Sequence, residues 1–81
     1  MDALYPHVLS QDAHEVLGTL AACTWSGPHR APSLRRWTRL TPAAFDGALA
    51  ELAGRGLVTL QGGGLFWVTG LGESWARRLY G

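Results

Sequence analysis

The 81-residue sequence contains no lysine, and all seven of its basic residues are arginine. It has a single cysteine, Cys23, which excludes an internal disulfide framework and a cysteine-ligated zinc site. No apolar run approaches the roughly 20 residues that span a bilayer, and the start MDALYPHVLSQD is acidic, with no basic segment followed by an apolar one. Charged residues make up only 16% against 47% hydrophobic, which excludes the composition of a disordered chain. There is no phosphate-binding loop with its lysine and no nucleophile paired with a base, so no enzyme and no cofactor are expected. His7, His14 and His29 share no spacing on one element, so no metal site is expected either. These absences lead to the expectation of a single cytoplasmic domain that does not enter a membrane.

What is present is organised by periodicity. Ser10 or Asp12 can cap a first helix over about residues 11–24, with Asp12-x-x-Glu15 resembling a capping box. Ala13, Val16, Leu17, Leu20, Ala21 and Thr24 form its apolar stripe, Trp25 closes its end, and Cys23 is expected to be buried as a small hydrophobe. After the SGPHRAP loop, Ser33 is placed to cap a second helix over about 33–40, with Leu34, Trp37 and Leu40 inward and Arg35, Arg36 and Arg39 outward. Thr41-Pro42 restarts the chain, because proline suits the first turn of a helix and not the end of the one before. The third helix spans about 42–54 with Phe45, Ala48, Leu49 and Leu52 inward, and AGRG at 53–56 stops it. Two β-prone runs flank GGG within 57–69, the signature of a hairpin, in which Phe66 and Val68 face one way and Leu65 and Trp67 the other. Thr69 or Gly70 opens a last helix over about 71–80, with Leu71, Trp75 and Leu79 on one face and Arg77 and Arg78 on the polar side.

This order, mainly α with a small β-hairpin, is that of a winged helix-turn-helix: a three-helix core, a two-stranded wing and a C-terminal helix. PSLRRWTRLTPAAFDGALAELAGRGLV resembles the helix-turn-helix core of winged-helix transcriptional regulators. LFWVTGLGESWARRL is similar to the final wing strand and closing helix of the MarR-like and PadR-like groups. The spacing from Leu34 to Leu49 is about two residues shorter than that resemblance leads one to expect, so helix two or its turn is clipped. The resemblance implies a DNA-binding transcriptional regulator, a homodimer on double-stranded DNA, with helix three in the major groove and the wing along the backbone. It places phosphate contacts on Arg30, Arg35, Arg36 and Arg39, groove contacts on Thr41, Ala43, Ala44, Asp46 and Gly47, and a wing contact on Gln61. Leu4, Tyr5, Leu79 and Tyr80, at the chain ends, are the candidates for dimer contacts.

The residues themselves set a limit on base reading. The positive charge is concentrated in residues 25–40, where Arg30, Arg35, Arg36 and Arg39 meet no acid, whereas the candidate reading helix carries no Arg, Lys, Asn or Gln between Thr41 and Gly54. Its outer line is Ala43, Gly47, Ala50 and Gly54, flanked by Asp46 and Glu51. The wing tip, Gln61-Gly62-Gly63-Gly64, has no arginine to enter a minor groove. A surface this smooth also suits a second reading, a protein-interaction module that uses Ala43, Gly47, Ala50, Trp67 and Tyr80. Trp67 has a bland alternative of its own, packing against Trp75. Trp37 and Trp75, on inward stripes, are expected in the core.

Overall fold

The computed structural model describes residues 9–23 and 28–80. These form α1 (Gln11–Ala22), β1 (His29–Arg30), α2 (Ala31–Arg35), α3 (Pro42–Gly54), β2 (Val58–Gly62), β3 (Leu65–Val68) and α4 (Gly70–Tyr80). The fold is mainly helical with one three-stranded antiparallel sheet in the order β1-β3-β2. No helix among the described residues is long and apolar enough to cross a membrane. The roles expected of Leu4, Tyr5, His7, Thr24 and Trp25 lie outside the described residues.

In α1 the cap is Ser10, whose hydroxyl accepts from the Ala13 N–H at 3.1 Å. Asp12 and Glu15 therefore do not form a capping box. Ala13, Val16, Leu17 and Leu20 are buried as their spacing requires, but Ala21 is exposed, because it lies roughly 90° round the helix from the centre of that stripe. Cys23 terminates the helix half-buried, with its thiol donating to the Thr19 carbonyl at 3.4 Å.

The largest departure from expectation is the segment after α1. His29 and Arg30 form a short strand paired with Phe66 and Leu65, and the Ala31 N–H extends the pairing to the Gly64 carbonyl at 2.7 Å. A two-residue strand has no room for alternation, and the flanking glycine and prolines give the stretch the composition of a loop. Helix α2 then starts at Ala31, two residues earlier than the expected Ser33 cap, with a proline in its first turn, and ends at Arg35. Tight turns follow, in which Trp37 N–H bonds to Leu34 O and Thr38 N–H to Arg35 O, while the Thr38 hydroxyl also donates to Arg35 O at 2.9 Å. Trp37 thus leaves the helical stripe and is 78% exposed, which corrects its placement in the core. Arg36 is the cap at the end of the helix and Arg39 lies beyond it, so Arg35, Arg36 and Arg39 do not share one helical face.

Helix α3 matches its sequence closely. Thr41 caps it through its hydroxyl and Phe45, Ala48, Leu49 and Leu52 are buried. Its stop falls within AGRG as expected, at Gly56: Gly56 takes φ 76°, and the Leu57 and Gly56 N–H groups bond back to Leu52 O and Ala53 O. Positive φ at Gly62, Gly63 and Gly64 closes the hairpin, with a register shift between Leu60 and Gly62. In α4 the buried residues are Gly72, Trp75 and Ala76, with Leu79 half-buried; Trp75 and Leu79 face inward as expected, whereas Leu71 is exposed and Gly72 takes the inward position in the first turn.

The core joins α1, α2, α3, the sheet and α4 through Val16, Leu17, Leu34, Phe45, Leu52, Leu57, Phe66 and Trp75. Thr69 locks the junction of sheet and α4, because its hydroxyl donates to Gly56 O at 2.7 Å and accepts from Gly72 N–H at 3.0 Å.

Candidate functional site

Packing the inner face of α3 against α1 and the sheet leaves its outer face uncovered. Ala43, Asp46, Gly47, Ala50 and Gly54 are all exposed, and a Cβ added at Gly47 or Gly54 would meet nothing within 4 Å. Thr41 is exposed but its hydroxyl is engaged as the cap, and Ala44 is half-buried, which withdraws both from the most accessible line.

The two acidic residues flanking this face behave differently. Glu51 turns toward the start of α1, where one carboxylate oxygen accepts from Ser10 N–H at 2.7 Å and the other from the Ser10 hydroxyl at 2.6 Å. Burial pushes the Glu51 pKa up, but the two Ser10 bonds and the positive fields of Arg55 and His14 outweigh it, so the carboxyl is held below its ordinary value. Sequence reasoning grouped Glu51 with Asp46 because both flank the same outer line; the partner that separates them lies 41 positions away. We expect Glu51→Ala to cost about 1 kcal/mol, since charge-assisted bonds at a water-accessible site are worth little, and to expose the α1 cap to faster amide exchange. Chemical denaturation and hydrogen exchange at Ala13 test this.

Asp46 instead lines a groove of about 250 Å³ between α3 and the hairpin, with Leu49, Leu60, Gly62 and Phe66. Leu60 was not among the expected site residues. Although it shares strand parity with the buried Val58, it is 50% exposed, near the hairpin end. On the opposite face of the hairpin Trp67 pairs with Thr59 and is 39% exposed, so it follows the expected alternation and is not taken into the core with Trp75. Gln61 and the glycine tip are exposed.

The arginines lie ahead of α3. Arg30, Arg36 and Arg39 are exposed and Arg35 is half-buried. His29, next to Arg30 in the sequence, is 8% exposed, with its ring stacked on Phe66 at 5.4 Å between centroids. Desolvation by burial lowers its pKa from 6.5. The unfolded chain therefore takes up a proton at His29 more readily than the folded one, so this contribution to stability is complete above about pH 6.5 and declines as the pH falls below it. Glu51 adds a second decline at lower pH, since its folded pKa lies below 4.5 and its contribution is lost as the pH falls through that lower value. Urea midpoints of the wild type should fall between pH 7 and 5, and those of His29→Leu should be flat over that interval.

Tyr80 is held within its own chain. Its hydroxyl donates to His14 O at 3.1 Å and lies 2.7 Å from His14 Nδ1, and its ring crosses Gly18 closely enough that an added Cβ would sit 3.4 Å away. Burial, and then the nearby Glu15, raise the Tyr80 pKa above its ordinary value. The ring remains 44% exposed.

The structure thus brings together an uncovered α3 face, a groove with one carboxylate at its edge and an uncharged hairpin tip, with arginines in the segment leading into α3. Comparison of the chain with protein-family models, with curated proteins and with solved structures gives no match, so the chemistry of this surface is the guide to its use.

Proposed function

We propose that this chain is a winged helix-turn-helix domain that binds duplex DNA as a transcriptional regulator. The sequential arrangement α1-β1-α2-α3-β2-β3, with β1 completing the sheet, supports the winged-helix reading. In this reading α3 enters the major groove, the β2–β3 hairpin is the wing, and Arg30, Arg35, Arg36 and Arg39 hold phosphates. The observation that carries it is the uncovered, small-residue face of α3 with Glu51 drawn away to Ser10. A helix in the groove lies close to two rows of phosphates, so removing a carboxylate from that approach favours a polyanion. Two copies on adjacent half-sites would pair through the exposed edges of Leu79 and Tyr80 near the end of α4.

Binding through three or four phosphates makes affinity fall steeply with salt, with a log–log slope of about −3. Fluorescence anisotropy with a labelled random duplex at two salt concentrations measures it. Arg36→Glu with Arg39→Glu should weaken duplex binding by about a hundredfold or more at low salt while leaving the fold intact, since both side chains are exposed. Unchanged affinity would refute DNA binding.

A second reading is favoured by a separate observation, the exposure of Trp67 and Leu60 on the two faces of the hairpin. Under it the domain docks a protein through Ala43, Gly47, Ala50 and Trp67. Because an added Cβ at the exposed Gly47 meets nothing, Gly47→Gln should leave the fold intact and block a close-packed protein partner more than nonspecific duplex binding.

A further inference from the structure

The outward side of α3 presents one side chain with hydrogen-bonding capacity to a groove. Ala43, Gly47, Ala50 and Gly54 offer none, Glu51 is bonded to Ser10, and the Thr41 hydroxyl caps the helix. Among the described residues the exposed Asp46 carboxylate has no hydrogen-bond or ion-pair partner. It stands at the rim of the groove between α3 and the hairpin, beside the apolar side chains of Leu49, Leu60 and Phe66, which cannot compete for a donor.

We infer that Asp46 is the residue that sets base preference in the proposed DNA complex, and that it selects cytosine. This inference rests on the DNA-binding reading above. A carboxylate only accepts hydrogen bonds, and the major groove offers it two donors, the amino groups of cytosine and adenine. The adenine amino group lies between two acceptors, N7 of its own ring and O4 of the paired thymine, and both repel a carboxylate. The cytosine amino group has an acceptor on one side and a ring C–H on the other, so the carboxylate approaches it at lower electrostatic cost. The small crest of α3 makes that approach geometrically accessible, because no bulky side chain at Gly47 or Ala50 holds the helix away from the base edges. The guanidinium groups ahead of α3 supply affinity that is independent of sequence, and Asp46 subtracts from it wherever no amino donor is met.

The test is selection from a random duplex library at low salt with the intact chain, followed by competition binding of the selected duplexes. The wild type should enrich cytosine at a fixed position and lose roughly tenfold in affinity when that cytosine is replaced. Asp46→Asn should move the preference at that position to adenine, since an amide both donates and accepts and so matches N6 and N7 together. Asp46→Ala should bind all duplexes a few-fold more tightly and show no preference there. A wild type that binds duplex with a base preference unchanged in Asp46→Ala overturns the inference and leaves the DNA-binding reading standing. A wild type that binds no duplex at low salt overturns both.

Discussion

Gly72→Ala is expected to destabilise the protein by about 3 kcal/mol or more, although it replaces one residue of a helix with a better helix former. Intrinsic propensity predicts the opposite, a gain of about 1 kcal/mol from removing an interior glycine. Packing decides the sign. The N–H of Gly72 donates to the Thr69 hydroxyl, and Thr69 N–H bonds to the Leu57 carbonyl, so the first turn of α4 is drawn down onto the backbone that leaves α3. A Cβ at position 72 would collide with the Leu57 carbonyl oxygen and would sit 2.9 Å from Val68 Cγ1. The carbonyl cannot swing aside, because it is fixed by Thr69 on one side and the helix-stop turn at Gly56 on the other. Relief requires α4 to lift, which would pull Trp75 and Ala76 out of the core. Gly47→Ala provides the control: its added methyl meets nothing, so it should be neutral or up to about 1 kcal/mol stabilising. Urea denaturation of the two variants beside the wild type measures both, and equal effects would show that propensity rather than contact governs position 72.

The contrast between these glycines also marks how far the sequence alone is legible. Helix α3 could be read almost residue by residue, since its cap, proline, apolar stripe and stop are all local signals within Thr41–Gly56. The hairpin was legible for the same reason, with three consecutive glycines between β-prone runs. Gly72 carried no signal, because what constrains it is a carbonyl 15 positions earlier that only the folded chain brings near. The strand at His29–Arg30 was hidden by its length, and its partner, β3, is more than 30 positions away. Helical spacing puts Trp37 inward, but the helix ends at Arg35, where the Thr38 hydroxyl bonds back to the carbonyl, so Trp37 leaves that face. At the candidate site the smooth outer line of α3 was legible from periodicity, whereas the separation of Asp46 from Glu51 was not. Both carboxylates flank the same helix face, and only tertiary contact with Ser10 removes one of them from that surface.

Phe66→Ala should have the second large effect, about 3–5 kcal/mol, against a total stability on the order of 4–12 kcal/mol for a domain of this size. Phe66 is 1% exposed and sits in the central strand, paired with Leu60 on one side and His29 on the other. Truncation leaves a cavity under the sheet and also removes the ring on which His29 stacks. The consequence reaches past the core, because β1 has only two residues, and the stacked ring accompanies its pairing with Phe66 and Leu65. With β1 loosened, Arg30 and the start of α2 lose their fixed position relative to α3, so under the proposed DNA-binding reading duplex affinity should fall even under conditions where the variant remains folded. Water reaching His29 would also return its pKa toward the ordinary value and flatten the stability change between pH 7 and 5. A double-mutant cycle with His29→Leu separates the two contributions: the stacked pair should show a coupling of about 0.5–1.5 kcal/mol at pH 7 that shrinks as the pH is lowered. Additive effects of the two substitutions, with the pH slope of Phe66→Ala equal to that of the wild type, would show that Phe66 acts on core volume alone and that β1 is held by its backbone bonds.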